Sequence, residues 1–256
     1  MPHLHDMHCH VDLYVDYQGL IEECEQEGIY TLAVTNTPSV FHACVELTRG
    51  RRYVRPALGL HPELVAQRHH ELALISDLLH ETQYIGEVGL DFVTTDPENR
   101  RLQQQVFSAI LEAAAAFGDR VVTVHSRRAA KEVVEMIGPN FPGTIILHWY
   151  SGPFSLLAQA VRYGFYFSVN PAMFTSRAGR KIVQQMPRDR VLLETDGPFV
   201  SISGRPARPR DVGMVVSDLA TFWQVDVETV HEELKQNLTS ALKGRKRLTS
   251  HSSSDC

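Results

Sequence analysis

Asp6-Met7-His8-Cys9-His10-Val11-Asp12 closes the first strand-like run of the chain, residues 4–11, and sets how the rest is read. The run ends on histidines and carboxylates with no glycine-rich phosphate loop behind it, which argues against a doubly wound open sheet. It also starts a pattern. Short apolar or β-branched runs recur at residues 30–35, 53–60, 84–90, 120–125, 144–148, 165–169 and 190–195. Amphipathic stretches fall between them at 17–27, 71–80, 97–117, 129–137, 154–163 and 178–186. The hydrophobic period switches from two, or from a continuous run, to about 3.6 each time. Asp96-Pro97 reads as an N-cap with proline in the first helical turn, and Gly138-Pro139 as a helix stop. Eight such rounds fill 256 residues, so the expected fold is α/β, a (β/α)8 TIM-type barrel.

The composition fits one globular domain. Hydrophobic residues make up 43% and charged residues 21%, which argues against disorder, collagen-like repeats and a coiled coil. The longest apolar runs, residues 113–117 and 144–147, are too short to span a bilayer. Met1-Pro2-His3-Leu4-His5-Asp6 has neither the basic start nor the apolar stretch of a secretory signal. Four cysteines, Cys9, Cys24, Cys44 and Cys256, are too few for a disulfide framework, so the expected setting is a reducing cytoplasm, with no membrane partner. A net charge of -5 excludes a broad basic coat for duplex nucleic acid. It leaves a metal-dependent nuclease open, because bound cations invert the local field. Residues 1–242 read as a single barrel, helical from 208 to its end, and the basic, then serine-rich stretch 243–256 as a flexible tail.

Barrel enzymes carry their chemistry where the strands end. The eight runs close on His8 and His10, Asn36, His61, Glu87 with Asp91, His125 with Arg127, His148, Asn170, and Glu194 with Asp196. His8 and His10 share strand parity and leave on one face, where both can bind one ion. Cys9 between them points the other way and reads as packing. His3 and His5, on the opposite parity near the terminus, read as incidental. His42, His69, His70, His80, His231 and His251 fall in helical or loop contexts and read as surface residues. Six nitrogen and oxygen donors at five strand ends, His8, His10, Glu87, His125, His148 and Asp196, fit two divalent cations sharing a carboxylate. No Gly-x-Ser-x-Gly elbow or Walker loop is present, so serine hydrolase and P-loop chemistry lack support.

Six ordered blocks, His8-Cys9-His10-Val11-Asp12, Gly59-Leu60-His61-Pro62-Glu63, Gly86-Glu87-Val88-Gly89-Leu90-Asp91, His125-Ser126-Arg127, His148-Trp149-Tyr150-Ser151-Gly152 and Glu194-Thr195-Asp196-Gly197-Pro198, resemble the TatD family of metal-dependent deoxyribonucleases. Leu32-Ala33-Val34-Thr35, Ala57-Leu58-Gly59-Leu60, His148-Trp149 and Asp196-Gly197-Pro198-Phe199 further resemble the QatD-type members of the Qat anti-phage defence system. The resemblance implies a metallo-dependent hydrolase barrel with one metal on His8, His10, Glu87 and Asp196. A second would lie on His125 and His148 with Glu87 bridging, the ions being Mg, Mn or Zn. It implies hydrolysis of phosphodiesters, commonly in single-stranded DNA from the 3′ end, with Asp196 and Glu87 as catalytic residues and Qat defence proteins as partners. Substrate contacts are expected from His61, Arg127, Trp149 or Tyr150, Arg205 and Arg208. Phe92-Val93, Trp149-Tyr150 and residues 201–210 depart from the common family pattern, and no ligand position does. Two other readings stay open: a small-molecule amide or nucleobase hydrolase on the same barrel, and a defence-complex component whose main role is partner binding.

Overall fold

Eight parallel strands form the ring that the alternating pattern predicts: β1 (His5–Cys9), β2 (Tyr30–Val34), β3 (Val54–Ala57), β4 (Tyr84–Gly89), β5 (Val121–His125), β6 (Thr144–His148), β7 (Tyr166–Val169) and β8 (Val191–Leu193). The computed structural model describes residues 4–243, so the expected tail, from 244 onward, and His251 and Cys256 with it lie outside the described residues. Around the ring run α1 (Tyr17–Glu27), α2 (Phe41–Leu47), α3 (Val65–Arg68), α4 (Leu72–Leu78), α5 (Pro97–Phe117), α6 (Ala130–Ile137), α7 (Phe154–Arg162), α8 (Pro171–Thr175), α9 (Arg177–Gln185), α10 (Val212–Trp223) and α11 (Val227–Leu242). No helix among the described residues is long and apolar enough to cross a membrane.

Regular ladders join β1-β2-β3 and β4-β5-β6-β7-β8, and two narrow seams close the ring. At the first, Leu58 N–H donates to Tyr84 O at 3.0 Å and Gly86 N–H donates to Leu58 O at 2.9 Å. At the second, His10 N–H donates to Gly197 O at 2.8 Å and Asp196 N–H to His8 O at 2.9 Å. Side chains complete this second seam. His5 Nε2 accepts from Leu193 N–H at 3.0 Å, and Asp6 Oδ1 accepts from Thr195 N–H at 2.9 Å and from His8 N–H at 3.1 Å. His5, expected to be incidental, is a buried acceptor that pairs an otherwise orphaned backbone donor of β8.

Inside the ring, Met7, Leu32, Val121, Ile146, Tyr166 and Leu192 pack against Leu238 and Ala241 of α11. The C-terminal helix therefore plugs the end where the strands begin, and Thr144 Oγ1 holds it by donating to Ala241 O at 2.8 Å. A fully buried leucine such as Leu238 contributes about 1.5–3 kcal/mol, so this end is apolar and closed. The cluster of histidines and carboxylates that faces a cavity lies at the opposite end.

Several elements differ from the sequence pattern. α2 was not expected; it seats Phe41 and Cys44 in the core with too few residues to show a period. The stretch 71–80 is a seven-residue α4 between tight 3-10 turns. The helical run from 208 breaks at Gln224, whose φ of 56° ends α10, and Asp226 caps α11 by accepting from Thr229 N–H. After β8 the chain makes a two-residue hairpin, β9 (Ser201–Ile202) with β10 (Arg205–Pro206). Ser203 and Gly204 take φ of 51° and 81° at its turn, the mirror-image geometry that short hairpins favour.

Candidate metal centre

β1 emerges with alternating residues on opposite faces. Cys9 packs outward with Leu20, Ile21 and Cys24 of α1, while His8 and His10 turn inward toward Glu87 of β4. His8 Nε2 and His10 Nε2 each lie 3.3 Å from Glu87 Oε2, and 3.8 and 3.7 Å from Asp196 Oδ1. His61 Nε2 lies 3.3 Å from the same Glu87 oxygen. The other oxygen, Oε1, faces His125 Nδ1 at 2.6 Å and His148 Nε2 at 2.9 Å. One carboxylate thus presents a different oxygen to each of two histidine groups. The structure brings all six expected donors and His61 into one buried cluster.

The tautomers follow from the outer partners. Asp91 Oδ2 lies 2.8 Å from His125 Nε2; with the proton of the neutral ring donated there, Nδ1 presents a lone pair toward Glu87. His8 Nδ1 lies 2.8 Å from Thr123 Oγ1; with its proton donated there, Nε2 is a lone pair as well. His8 Nε2 and His10 Nε2 are buried and make no hydrogen bond among the described residues, although carboxylate oxygens surround them. Lone pairs facing carboxylates repel unless a cation lies between, so the donor set fits divalent metal. His8, His10 and Asp196 form one group of ligand atoms within 4.8 Å of one another, and His8, Glu87 and His148, and His61, Glu87 and His125, form two more.

The electrostatics show the same frustration. Burial opposes charge on Glu87, but His61, His8, His148 and His125 outweigh it and hold the carboxyl well below the usual carboxylate range. Burial pushes Asp196 well above that range, with Glu87 and Glu194 adding to it against the pull of His148. Burial and then His148 push His8 well below its ordinary value, whereas Glu87 and Glu194 overcome burial and raise His148. Without cations, neighbouring groups of one kind are driven to opposite protonation states.

Backbone geometry makes room for this crowd. A Cβ at Gly59 would collide with Thr35 O and Glu87 N, so only glycine lets β3 pass the ligand-bearing turn of β4. Asp196 and Trp149 both sit at positive φ, 51° and 38°, a conformation that costs a non-glycine residue about 1 kcal/mol or more. Glu194 braces the Trp149 turn by accepting from Trp149 N–H at 3.1 Å and from Asn170 Nδ2 at 2.8 Å.

A cavity of about 470 Å³ opens over Glu87, His125, His148 and Asp196, walled by His61, Arg127, Trp149 and Phe199. Of the expected substrate contacts, His61, Arg127 and Trp149 therefore line it. Tyr150 does not: it is fully buried, edge-on to Phe167, with its hydroxyl donated to Pro153 O at 2.8 Å. Arg205 does not line it either. Both guanidinium nitrogens are 2.7 Å from the carboxylate of Asp211, which ties down the hairpin. Arg208 is held by Glu23 of α1, with Nε 3.2 Å from Oε2. Phe199, 61% exposed and edge-on to His10, was not singled out as a contact; its signal was its place three residues after Asp196 at a strand end.

A closed βα ring with histidines and carboxylates gathered at its open end defines a metal-dependent hydrolase barrel. The chain belongs to the TatD family: the family described as TatD related DNase matches residues 5–243. It is similar to deoxyribonuclease TATDN3 of Homo sapiens, 28% identical over 91% of this chain and 92% of that protein. It is also similar to the uncharacterized metal-dependent hydrolase MJ1582 of Methanocaldococcus jannaschii, 25% identical over 94% and 97%. The crystal structure of YJJV, a TatD homolog from Escherichia coli K12, shares the fold with a TM-score of 0.83 at 24% identity, covering 94% of this chain and 98% of that one.

Proposed function

We propose that this chain is a two-metal phosphodiesterase that shortens single-stranded DNA from its 3′ end. The observation that carries the reading is the division of Glu87, one oxygen toward His8, His10 and His61 and the other toward His125 and His148. His8, His10, Glu87 and Asp196 would hold one ion, and His125 and His148, with Glu87 shared, the other. Such ions, Mg, Mn or Zn, supply charge neutralisation at a phosphoryl group and acidify water. Asp196 orients the attacking water and takes its proton. Asp91 and Thr123 keep the ring nitrogens of His125 and His8 in the ligand tautomer. His61 and Arg127, on the cavity wall, contact phosphate oxygens, and Trp149 stacks on a base. The similarity to deoxyribonuclease TATDN3 supports DNA as substrate. The buried thiols Cys9, Cys24 and Cys44 suit a reducing cytoplasm. The Qat-type sequence blocks support a role beside other Qat defence proteins, tested by whether D196A abolishes phage protection while complex assembly persists.

The deciding experiment follows end-labelled single-stranded and duplex DNA with Mg or Mn added or chelated, using wild type, Asp196→Asn and Glu87→Ala. Metal-dependent shortening from the 3′ end is expected, lost in both variants, with metal occupancy falling mainly in Glu87→Ala. Intact DNA after incubation with folded, metal-loaded wild type would refute the nuclease reading.

A further inference from the structure

We infer that a second cavity, between the β5–α6 and β6–α7 connections, is a groove for the non-scissile phosphates of a single-stranded nucleic acid; this deepens the phosphodiesterase reading and rests on it. The cavity measures about 450 Å³ and is lined by Arg127, Arg128 and Lys131 on one side and by Gly152 and Pro153 on the other. It is continuous with the metal centre, since Ser126, Arg127 and Ser151 line both spaces. The path therefore begins beside His125 and runs outward over the start of α6.

Its charge sets it apart on an acidic protein. Arg127, Arg128 and Lys131 are exposed, and none of their side chains forms an ion pair or hydrogen bond among the described residues. Elsewhere on the same face, arginines are neutralised: Arg205 by Asp211, Arg208 and Arg210 by Glu23. Glu132, half-buried, is the carboxylate in the groove lining, and Asp91 feels the charge of Arg127, which leaves Arg128 and Lys131 as the less neutralised cations of the groove. Unpaired cations in a concave track are what a polyphosphate backbone needs, because each contact releases condensed counterions. Trp149, 36% exposed, lines the metal-centre cavity two residues before Ser151, which lines both spaces, and gives the strand a base-stacking platform at the inner end of the track. A small phosphodiester would occupy the metal centre alone, whereas a strand of several nucleotides would fill both spaces. The groove thus makes the protein select polymeric over small diesters.

The test uses metal-loaded wild type and the double variant Arg128→Gln, Lys131→Ala, both sites being exposed and free of structural contacts. Two measurements are taken: turnover of bis(p-nitrophenyl) phosphate, and binding by fluorescence anisotropy of a cleavage-resistant phosphorothioate oligothymidylate about 12 nucleotides long. The expected result is unchanged turnover of the small diester, strand binding weaker by roughly tenfold, and a salt-dependence slope reduced by about 1.4, from two lost single-strand phosphate contacts. Glu132→Gln should tighten strand binding. Equal strand affinity and salt slope in wild type and variant would overturn the groove. Equal losses on the small diester and the strand would also overturn it, by placing these cations at the scissile phosphate. If wild type hydrolyses no diester at all, the phosphodiesterase reading fails, and the anisotropy comparison still decides the groove.

Discussion

Acid should weaken the barrel through one residue that the metal centre does not use. His5 is buried at the β8–β1 seam, where its Nε2 accepts from Leu193 N–H at 3.0 Å, and burial pushes its pKa down to about 3. The folded protein keeps this ring neutral, while the unfolded chain protonates it near pH 6.5. A depressed histidine therefore contributes stability that is present above about pH 6.5 and lost as pH falls toward about 3, because the unfolded state binds the extra proton. At about 1.4 kcal/mol per pH unit, the loss from this group is about 2 kcal/mol at pH 5 and about 4 kcal/mol close to pH 3. That is a large share of the 5–15 kcal/mol or so that holds an ordinary domain folded. Urea unfolding of chelated wild type and His5→Gln, near neutral pH and at about pH 5, isolates the effect, since glutamine can accept the same hydrogen bond and does not titrate. Wild type should lose about 2 kcal/mol more than the variant between the two conditions. Parallel pH dependences in the two proteins would refute the reasoning.

Asp91→Ala removes the acceptor that faces His125 Nε2, and calorimetric titration of metal into the apoprotein should show affinity lower by about 10–100-fold at one site; an unchanged isotherm would make Asp91 a loop cap only. Gly59→Ala forces a methyl against Thr35 O and Glu87 N, so thermal unfolding should show a loss of roughly 2–4 kcal/mol, and wild-type stability would mean that the β3–β4 seam yields freely. Trp149→Ala should weaken single-strand binding by about 1–3 kcal/mol and leave small-diester turnover intact. Equal effects on both substrates would place Trp149 in the support of His148 instead.

The ring and the cluster of histidines and carboxylates at its open end were readable because both rest on local regularities. Alternation along β1 puts His8 and His10 on one face whatever lies opposite, His125 and His148 follow directly on apolar runs, and Glu87 and Asp196 lie inside or just beyond two more. What was not readable depends on contacts between distant segments or on one backbone angle. His5 is useful because Leu193, 188 positions later, lies beside it once the ring closes. Trp149 and Tyr150 are adjacent aromatics of similar character; the positive φ at Trp149 leaves it at the cavity and Tyr150 in the core. Arg205 looked free for a phosphate because Asp211 lies six positions on, too far along a regular helix or strand to touch it, and is brought back by the tight turn at Pro209–Asp211.

Departures from regular strand pairing coincide with the residues of the His–carboxylate cluster. The β1–β2 register shifts between Asp6 and Cys9, across His8, and the β4–β5 register shifts between Ile85 and Val88, across Glu87. Both closing seams pass the same places, one beside Glu87 and one beside Asp196. Irregular pairing costs ladder hydrogen bonds, and it lets a side chain leave the pleat at an angle that strict alternation forbids. A regular ring would spread its inward residues in layers and fill the interior, as Met7, Leu32, Val121, Ile146 and Leu192 do at the closed end. At the open end the shifts gather five imidazoles and the Glu87 and Asp196 carboxylates around one cavity, where burial opposes their charges and a bound cation would satisfy them together. The irregular pairing and the gathered donor set thus have one origin, and metal bound there would stabilise the seams as well as the reaction.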